Sequence, residues 1–273
     1  MKKWAILAGA LSLLLCSTAF AAVEADWDAG TITSTGEASL ADAAISAGGP
    51  QTGTGAVWSE YQTDKNARKL AESDARNQLE DYVKSIQVTT AQTVGDLMNA
   101  DAATAEHVNK LLQDAAVVTA GQKGDKFAIT MSLPIYGIND SVGRAVLPHI
   151  FNQAELPKGP ENLEVPEATG VIVDCTGLSI KPVMAVTIKD TNGREIYFYQ
   201  AMLWDKVVRF GMAAWGNSDT VLAKAGAAPL TVKAVSLDDQ GMTPVISAED
   251  ADRILAANDK TGCLRQCAVV IKE

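Results

Sequence analysis

The sequence predicts an α+β protein, in which a small strand–helix–helix–hairpin domain precedes a mixed α/β domain. Two observations support this fold class. Some segments repeat apolar residues at three- and four-residue steps, as amphipathic helices do, and others are short runs rich in valine, isoleucine and threonine, as strands are. Hydrophobic residues form 47% of the 273 residues, which is enough for a packed core. The expected order is a signal peptide at 1–21, a first domain at 22–155, a proline-rich linker at 156–168 and a second domain at 169–273.

The first 21 residues have the pattern of a secretory signal peptide. Two lysines precede an apolar run at 5–15 that is too short to span a bilayer, and small residues predict cleavage between Ala21 and Ala22. We therefore expect a periplasmic or otherwise exported protein, with no transmembrane segment after signal removal. The bulky Leu15 stands before Cys16 where a lipid-modified cysteine normally follows a small residue, so lipid anchoring at Cys16 is not predicted.

The first domain combines one β-favouring run, two helical patterns and a hairpin signal. A Thr-Ile-Thr-Ser-Thr run favours a strand, small and aliphatic residues at helical spacing favour a long helix, and a polar glycine-rich connector favours a hairpin. Asp101 is the expected cap of the second helix. The predicted elements are a strand at 27–36, a glycine-rich loop at 48–55, helices at 64–85 and 102–115, hairpin strands at 116–120 and 127–135, and a short helix at 141–147.

The second domain follows a segment rich in proline and charge. An Asp-Thr-Asn-Gly sequence predicts a hairpin turn at 190–193, because Asn-Gly readily adopts left-handed dihedral angles. Ser247 is expected to begin a helix of about a dozen residues that Gly262 ends. The predicted strands lie at 170–175, 183–188, 196–199, 207–213, 230–237 and 268–272.

The composition excludes several classes of function. Asp and Glu number 33 against 23 Lys and Arg, and a net charge of −10 argues against binding to nucleic acid, which requires a concentrated positive surface. The two histidines, His107 and His149, belong to no nucleophile or metal-ligand pattern, and no phosphate-binding or dinucleotide-binding fingerprint is present. We predict no catalytic residue, no cofactor and no metal.

Four residues are candidates for a ligand site or an interface. Asp174 ends an apolar strand, where α/β proteins often build sites, and the nearby Lys181 is either part of the same site or simply its ion-pair partner. Trp204 and Trp215 flank a segment that also contains Phe210, and these aromatic residues either line a partner groove or fill the core.

Three cysteines follow the signal peptide: Cys175, Cys263 and Cys267. Their spacing matches neither a zinc site nor a two-residue redox motif. We favour buried structural thiols, and a disulfide between Cys267 and either of the other two is the alternative, since an exported setting permits one.

Several segments together carry a family resemblance. They are TITSTGEA at 31–38, the alanine- and arginine-bearing helix at 67–75, MSLPIYG at 131–137, GVIVDCTGL at 170–178 with the Lys-Pro that follows, and the residues from Asp190 to Tyr197. The combination resembles the LPP-twenty lipoprotein family and the N-terminal part of flagellar assembly protein T. The chain departs from that pattern at the lipid-modified cysteine and at 175–176, where Cys175 takes the second position of an Asp-Ala-Arg-Gly-Leu-like string and Thr176 replaces its basic residue.

The resemblance implies an envelope protein with no catalytic residues to carry over, whose flagellar relatives brace a motor through protein–protein contact. We therefore expect an exported, non-enzymatic protein with a structural or interaction role at a flagellum or another surface assembly. Its expected partners are envelope or surface-assembly proteins, or a second copy of the chain. The alternative is a periplasmic module that binds a small ligand or a cation near Asp174 and Lys181, and a hydrolase without a recognisable motif is a third.

Overall fold

The computed structural model describes residues 23–46, 54–147 and 154–273. The signal peptide, its cleavage site, Cys16 and His149 lie outside these ranges, as does most of the predicted glycine-rich loop. Helix makes up 39% and strand 27% of the structure, arranged as helices on two sheets, which confirms the α+β class.

The N-terminal sheet is antiparallel and has four strands in the order β1-β2-β4-β3. Its strands are β1 (Val23–Asp26), β2 (Thr31–Ser39), β3 (Ala116–Lys123) and β4 (Lys126–Pro134). The helices of this half are α1 (Leu40–Ser46), α2 (Thr54–Ser85), α3 (Val94–Ala100), α4 (Ala102–Gln113) and α5 (Val142–Val146). The predicted hairpin and the predicted Asp101 cap are both confirmed, since β3 and β4 pair and the Asp101 side chain accepts from the Thr104 N–H at 2.8 Å.

Helix α2 covers the buried face of β2. Alternate residues of β2 are buried, and Gly36 lies so close to α2 that a Cβ there would be 2.2 Å from the carbonyl oxygen of Ala71. The Ser34 hydroxyl donates to the carbonyl oxygen of Ala75 at 2.8 Å. The small side chains of Ala71 and Ala75 are fully buried, so the helix packs directly on the strand backbone.

Two N-terminal predictions are wrong in their boundaries. Of the predicted strand at 27–36 only residues 31–36 are strand, as part of β2, because residues 27–30 form the turn after β1, where the Ala29 N–H donates to Asp26 Oδ1 and Gly30 has a φ of +69°. The long helix begins at Thr54 rather than at residue 64, and α3 was not predicted although Thr93 and Asp96 form a capping box at its start.

The second sheet is mixed and has seven strands in the order β7-β6-β10-β9-β5-β11-β8. Its strands are β5 (Val171–Asp174), β6 (Ile188–Asp190), β7 (Glu195–Tyr197), β8 (Ala214–Trp215), β9 (Leu230–Asp238), β10 (Thr243–Ile246) and β11 (Val269–Lys272). Its helices are α6 (Trp204–Phe210), α7 (Asp219–Leu222) and α8 (Ala248–Thr261). Strands β9, β5, β11 and β8 run parallel, and β6 and β7 form the predicted hairpin. The predicted caps of α8 are also confirmed, with Ser247 at its start and the left-handed Gly262 at its end.

Two predicted strands of this half are wrong. The segment at 207–213 forms most of α6, because packing that buries Val207 and Val208 overrides their preference for strands. At 183–188 only the last residue joins β6. The backbone N–H groups of Met184 and Ala185 donate instead to the carbonyl oxygens of Gln87 and Val88 in the N-terminal half.

The predicted linker has neither helix nor strand, but it is held against α8. The Gly159 N–H donates to Asp259 Oδ2 at 2.9 Å, and Lys260 Nζ donates to the carbonyl oxygen of Val165 at 2.6 Å. A Cβ at position 159 would lie 2.3 Å from the backbone nitrogen of Ala256. Buried residues of both halves form one continuous hydrophobic cluster, so the two sheets are parts of one packed body.

Candidate functional site

Asp174 is held by local partners at the end of β5. Its carboxylate accepts from the Thr176 N–H at 2.9 Å and from Lys272 Nζ at 3.2 Å, and Lys272 stands opposite it in the parallel register with β11. Hydrogen bonds from Thr176, together with Lys272, lower the pKa of Asp174 to about 2. The predicted ion pair between Asp174 and Lys181 is therefore wrong, because Lys272 on the neighbouring strand β11 pairs with Asp174 instead. Lys181 is exposed, and its backbone N–H donates to Gly241.

The lowered pKa of Asp174 predicts a pH-dependent contribution to stability. The charged form is favoured in the folded state, so the contribution is present above the unfolded pKa of 3.8 and is lost as the pH falls towards 2. The Asp174 side chain is 26% exposed, so solvent partly screens its ion pair with Lys272. We therefore expect Asp174→Asn to lower the free energy of unfolding by about 1 kcal/mol at pH 7. In urea unfolding from pH 7 to pH 2, the difference from the wild type should shrink below pH 4. The exposed Glu161→Gln is the control, and a difference independent of pH contradicts the assignment.

The candidate tryptophans do not share a groove. Trp204 begins α6 and is partly buried; the Arg144 guanidinium lies 4.8 Å from its ring centroid, and its indole N–H donates to the carbonyl oxygen of Leu147. Trp215 is 1% exposed and its ring meets that of Trp27 edge to face, with centroids 6.4 Å apart. Trp215 is thus a core residue, and Trp204 packs against the end of α5.

The three cysteines are free and buried, so the structure has the favoured thiols and not the alternative disulfide. Burial raises the pKa of Cys175 and of Cys267 to about 12, and it also raises the pKa of Cys263. The thiolate is the reactive form of cysteine, so these buried thiols are unreactive at neutral pH. Among the residues that the structure describes, no group of three His, Cys, Asp or Glu side chains is placed to hold a metal ion.

A cleft of about 530 Å³, which we call the junction groove, lies where the two halves of the chain meet. Its lining comes from five segments: the turn after β1, Tyr136 shortly after β4, the stretch from the end of α6 into β8, Lys224 after α7, and the residues before β11. The lining residues are Trp27, Ala29, Gly30, Tyr136, Arg209, Phe210, Ala213, Ala214, Lys224, Gln266, Cys267 and Ala268.

The Tyr136 ring, which lines the junction groove, packs against a glycine. Gly211 ends α6 with a φ of +80°, and a Cβ there would lie 2.7 Å from the ring of Tyr136. This placement of the Tyr136 ring therefore requires a residue that has no side chain and accepts a positive φ at position 211. Burial raises the pKa of Tyr136, which stays neutral, and Lys224 Nζ donates to the carbonyl oxygen of Asp28 at 3.1 Å across the junction.

The sequence did not indicate this groove. Its residues come from five separated segments, and the prediction of a strand at 207–213 would have placed Arg209 and Phe210 on opposite faces of a sheet.

A second cavity of about 750 Å³ lies between α4, α5 and Trp204. Its lining includes two cations, Lys110 and Arg144, and two carboxylates, Asp114 and Asp140.

Strand β3 is an exposed sheet edge. It is the last strand of the four-stranded sheet, and all eight of its residues are exposed because α2 packs on β2 and β4 instead. The register with β4 shifts between Val117 and Thr119, and the two valines there are 43% (Val117) and 60% (Val118) exposed. Residues 119–123 continue the regular pairing. No acidic side chain lies on the strand.

One region of the chain is similar to a known family. Residues 170–272 match the family described as Treponema pallidum Tp0624, second domain. The matched region contains the whole seven-stranded sheet and covers less than half of the 273 residues. No curated protein matches the chain. No described helix is both long and apolar enough to cross a membrane.

Proposed function

We propose that the chain is an exported, non-enzymatic structural protein of the cell envelope that associates with a second copy of itself through β3. The observation that carries this proposal is the exposed edge of β3, which presents unpaired backbone groups and two exposed valines. The pattern of a signal peptide and the resemblance to envelope and flagellar proteins support the exported structural role. A periplasmic position beside a flagellum or another surface assembly is part of the same proposal.

An antiparallel arrangement suits two copies of β3. Centred on Ala120, this arrangement pairs Val118 with Gln122 and places Lys123 opposite Val117, so both valines lie in the contact and the two lysines lie at opposite ends. No carboxylates face one another across the edge, although the chain as a whole carries a net charge of −10. The same patch serves both copies, as a two-fold interface requires, and the sheet would extend to eight strands.

The test is the oligomeric state in solution. We expect a monomer–dimer equilibrium for the mature protein in sedimentation velocity across a concentration series, and we expect Val118→Lys to raise the dissociation constant at least about tenfold, because it places a charge at the contact. The matched control is Val235→Lys, since Val235 is 56% exposed on the interior strand β9 of the other sheet.

Three outcomes would overturn the proposal. One is a wild type that stays monomeric across the whole series. Another is a Val118→Lys variant that dimerises like the wild type. The third is a Val235→Lys variant that dissociates to the same extent as Val118→Lys. Crosslinking in intact envelopes from a photoreactive residue at position 118 should give a product of twice the monomer mass.

A further inference from the structure

The junction groove has the size and surface of a small-molecule site, and it plays no part in the association through β3. Its volume of about 530 Å³ lies within the range of pockets that enclose small organic ligands. Residues from both halves of the chain build it: Trp27 and Tyr136 come from the N-terminal half, and Arg209, Phe210 and Lys224 come from the C-terminal half. The groove therefore exists only while the two halves are packed together.

Three aromatic side chains give the groove an apolar surface. The Trp27 indole already makes a side-chain hydrogen bond with Tyr82, and the Tyr136 hydroxyl points to the carbonyl oxygen of Met184 at 3.5 Å. The polar atoms of these two residues are thus occupied elsewhere, and both residues line the cleft. Phe210 is 56% exposed and lines the cleft, so its ring is accessible to a ligand. The body of a fitting ligand is accordingly apolar or aromatic.

The charge of the lining is opposite to the charge of the protein. Acidic residues outnumber basic ones by 33 to 23 in the chain, yet the described residues that line the groove include two cations, Arg209 and Lys224, and no carboxylate. Among the described residues neither cation forms an ion pair; Arg209 lies 5.6 Å from the ring centroid of Phe210, and Lys224 donates to a backbone carbonyl. Both remain available to a negative group on a ligand.

The geometry points to a binding site for a small amphipathic organic anion, with its apolar body on the three aromatic rings and its charged group between Arg209 and Lys224. The occupant carries one carboxylate or sulfonate group on an aromatic or aliphatic frame. Selectivity comes from the combination of charge and apolar body, because the cations alone would also attract inorganic anions and the rings alone would accept neutral molecules.

Two fluorescent probes of similar shape and different charge test this site in the folded, mature protein. We expect the anionic 8-anilinonaphthalene-1-sulfonate to bind with one-to-one stoichiometry and to weaken as salt is added, because salt screens the exposed cations. Arg209→Gln and Lys224→Gln should each raise its dissociation constant about tenfold, the size of one charge-assisted contact. The neutral N-phenyl-1-naphthylamine should bind these variants within about twofold of the wild type.

Matched variants separate the groove from the rest of the surface. Lys233→Gln removes an exposed lysine of β9 outside the groove and should leave both dissociation constants unchanged. Ala29→Trp fills the rim at an exposed position and should weaken both probes by at least about tenfold. Circular dichroism and the thermal midpoint establish that each variant is folded.

The proposal is overturned by equal binding of the anionic probe to the wild type and the Arg209→Gln/Lys224→Gln double variant. It is also overturned if Lys233→Gln weakens the anionic probe as much as the groove variants do, or if Ala29→Trp leaves both probes bound. Sedimentation of the same variants distinguishes the two proposals, because loss of probe binding with intact dimerisation concerns the groove alone.

Discussion

Replacing Gly36 with alanine is expected to destabilise the protein by about 3 kcal/mol or more, a large share of the stability of an ordinary domain. The added Cβ would lie 2.2 Å from both the carbonyl oxygen of Ala71 and the backbone nitrogen of Ala75. These are backbone atoms in the middle of a 32-residue helix, so neither can move aside as the end of a side chain could. Helix α2 would have to separate from β2, and the Ser34 contact with Ala75 would be lost with it.

Urea unfolding followed by tryptophan fluorescence at one protein concentration measures this effect. Gly137→Ala is the control, because Gly137 lies outside β3 and a Cβ there would meet only side-chain atoms of Ser141, at 3.6 and 3.9 Å. Neither glycine has a positive φ, so a difference between the two variants reports on space and not on backbone conformation. A Gly36→Ala protein with the unfolding midpoint of the wild type would contradict the close packing of α2 on β2.

Replacing Asp190 with alanine is expected to cost about 3 kcal/mol, because it removes the acceptor at the centre of a buried network. The Asp190 side chain is 1% exposed and accepts from the backbone N–H groups of Asn192 and Arg194 at 2.8 and 2.9 Å, and from Arg194 Nε at 2.9 Å. Burial raises the pKa of Asp190, but these hydrogen bonds outweigh it and the pKa is lowered.

Arg194 also binds Asp252 at 2.7 Å, so the network ties the β6–β7 turn to α8. Asp252→Ala is the control: its side chain is 34% exposed, and its loss should cost about 1 kcal/mol or less. Asp190→Asn keeps an acceptor for the two N–H groups and should fall between the two alanine variants. Equal urea midpoints for Asp190→Ala and Asp252→Ala would show that the buried carboxylate has no special role.

The elements that were predicted correctly are those with a local signal. The capped helix from Ser247 to Gly262, the Asp101 cap and the hairpin turn at 190–193 each depend on residues within a few positions of one another. The same holds for β9, whose alternation of buried and exposed residues matches a strand. Local side-chain and backbone preferences decide such features before any tertiary contact forms.

The errors occur where distant residues compete with local preference. The valines of α6 favour a strand in isolation but are buried as part of a helix. The segment at 183–187 was expected to pair within the second sheet, and its backbone bonds the N-terminal half instead. The candidate site shows the same limit, because Lys272 takes the position beside Asp174 through the register of β5 and β11.

The sequence alone determined the α+β class, the signal-peptide pattern, the order of most elements and the residues that cap them, since each of these follows from short-range chemistry. Only the tertiary structure decided which residues meet: the close contact of Gly36 with α2, the exposure of β3 and the cationic, aromatic groove at the junction. The physical reason is that these features join positions far apart in the chain, such as Trp27 and Phe210. Their proximity follows from packing, which a pattern of neighbouring residues does not encode.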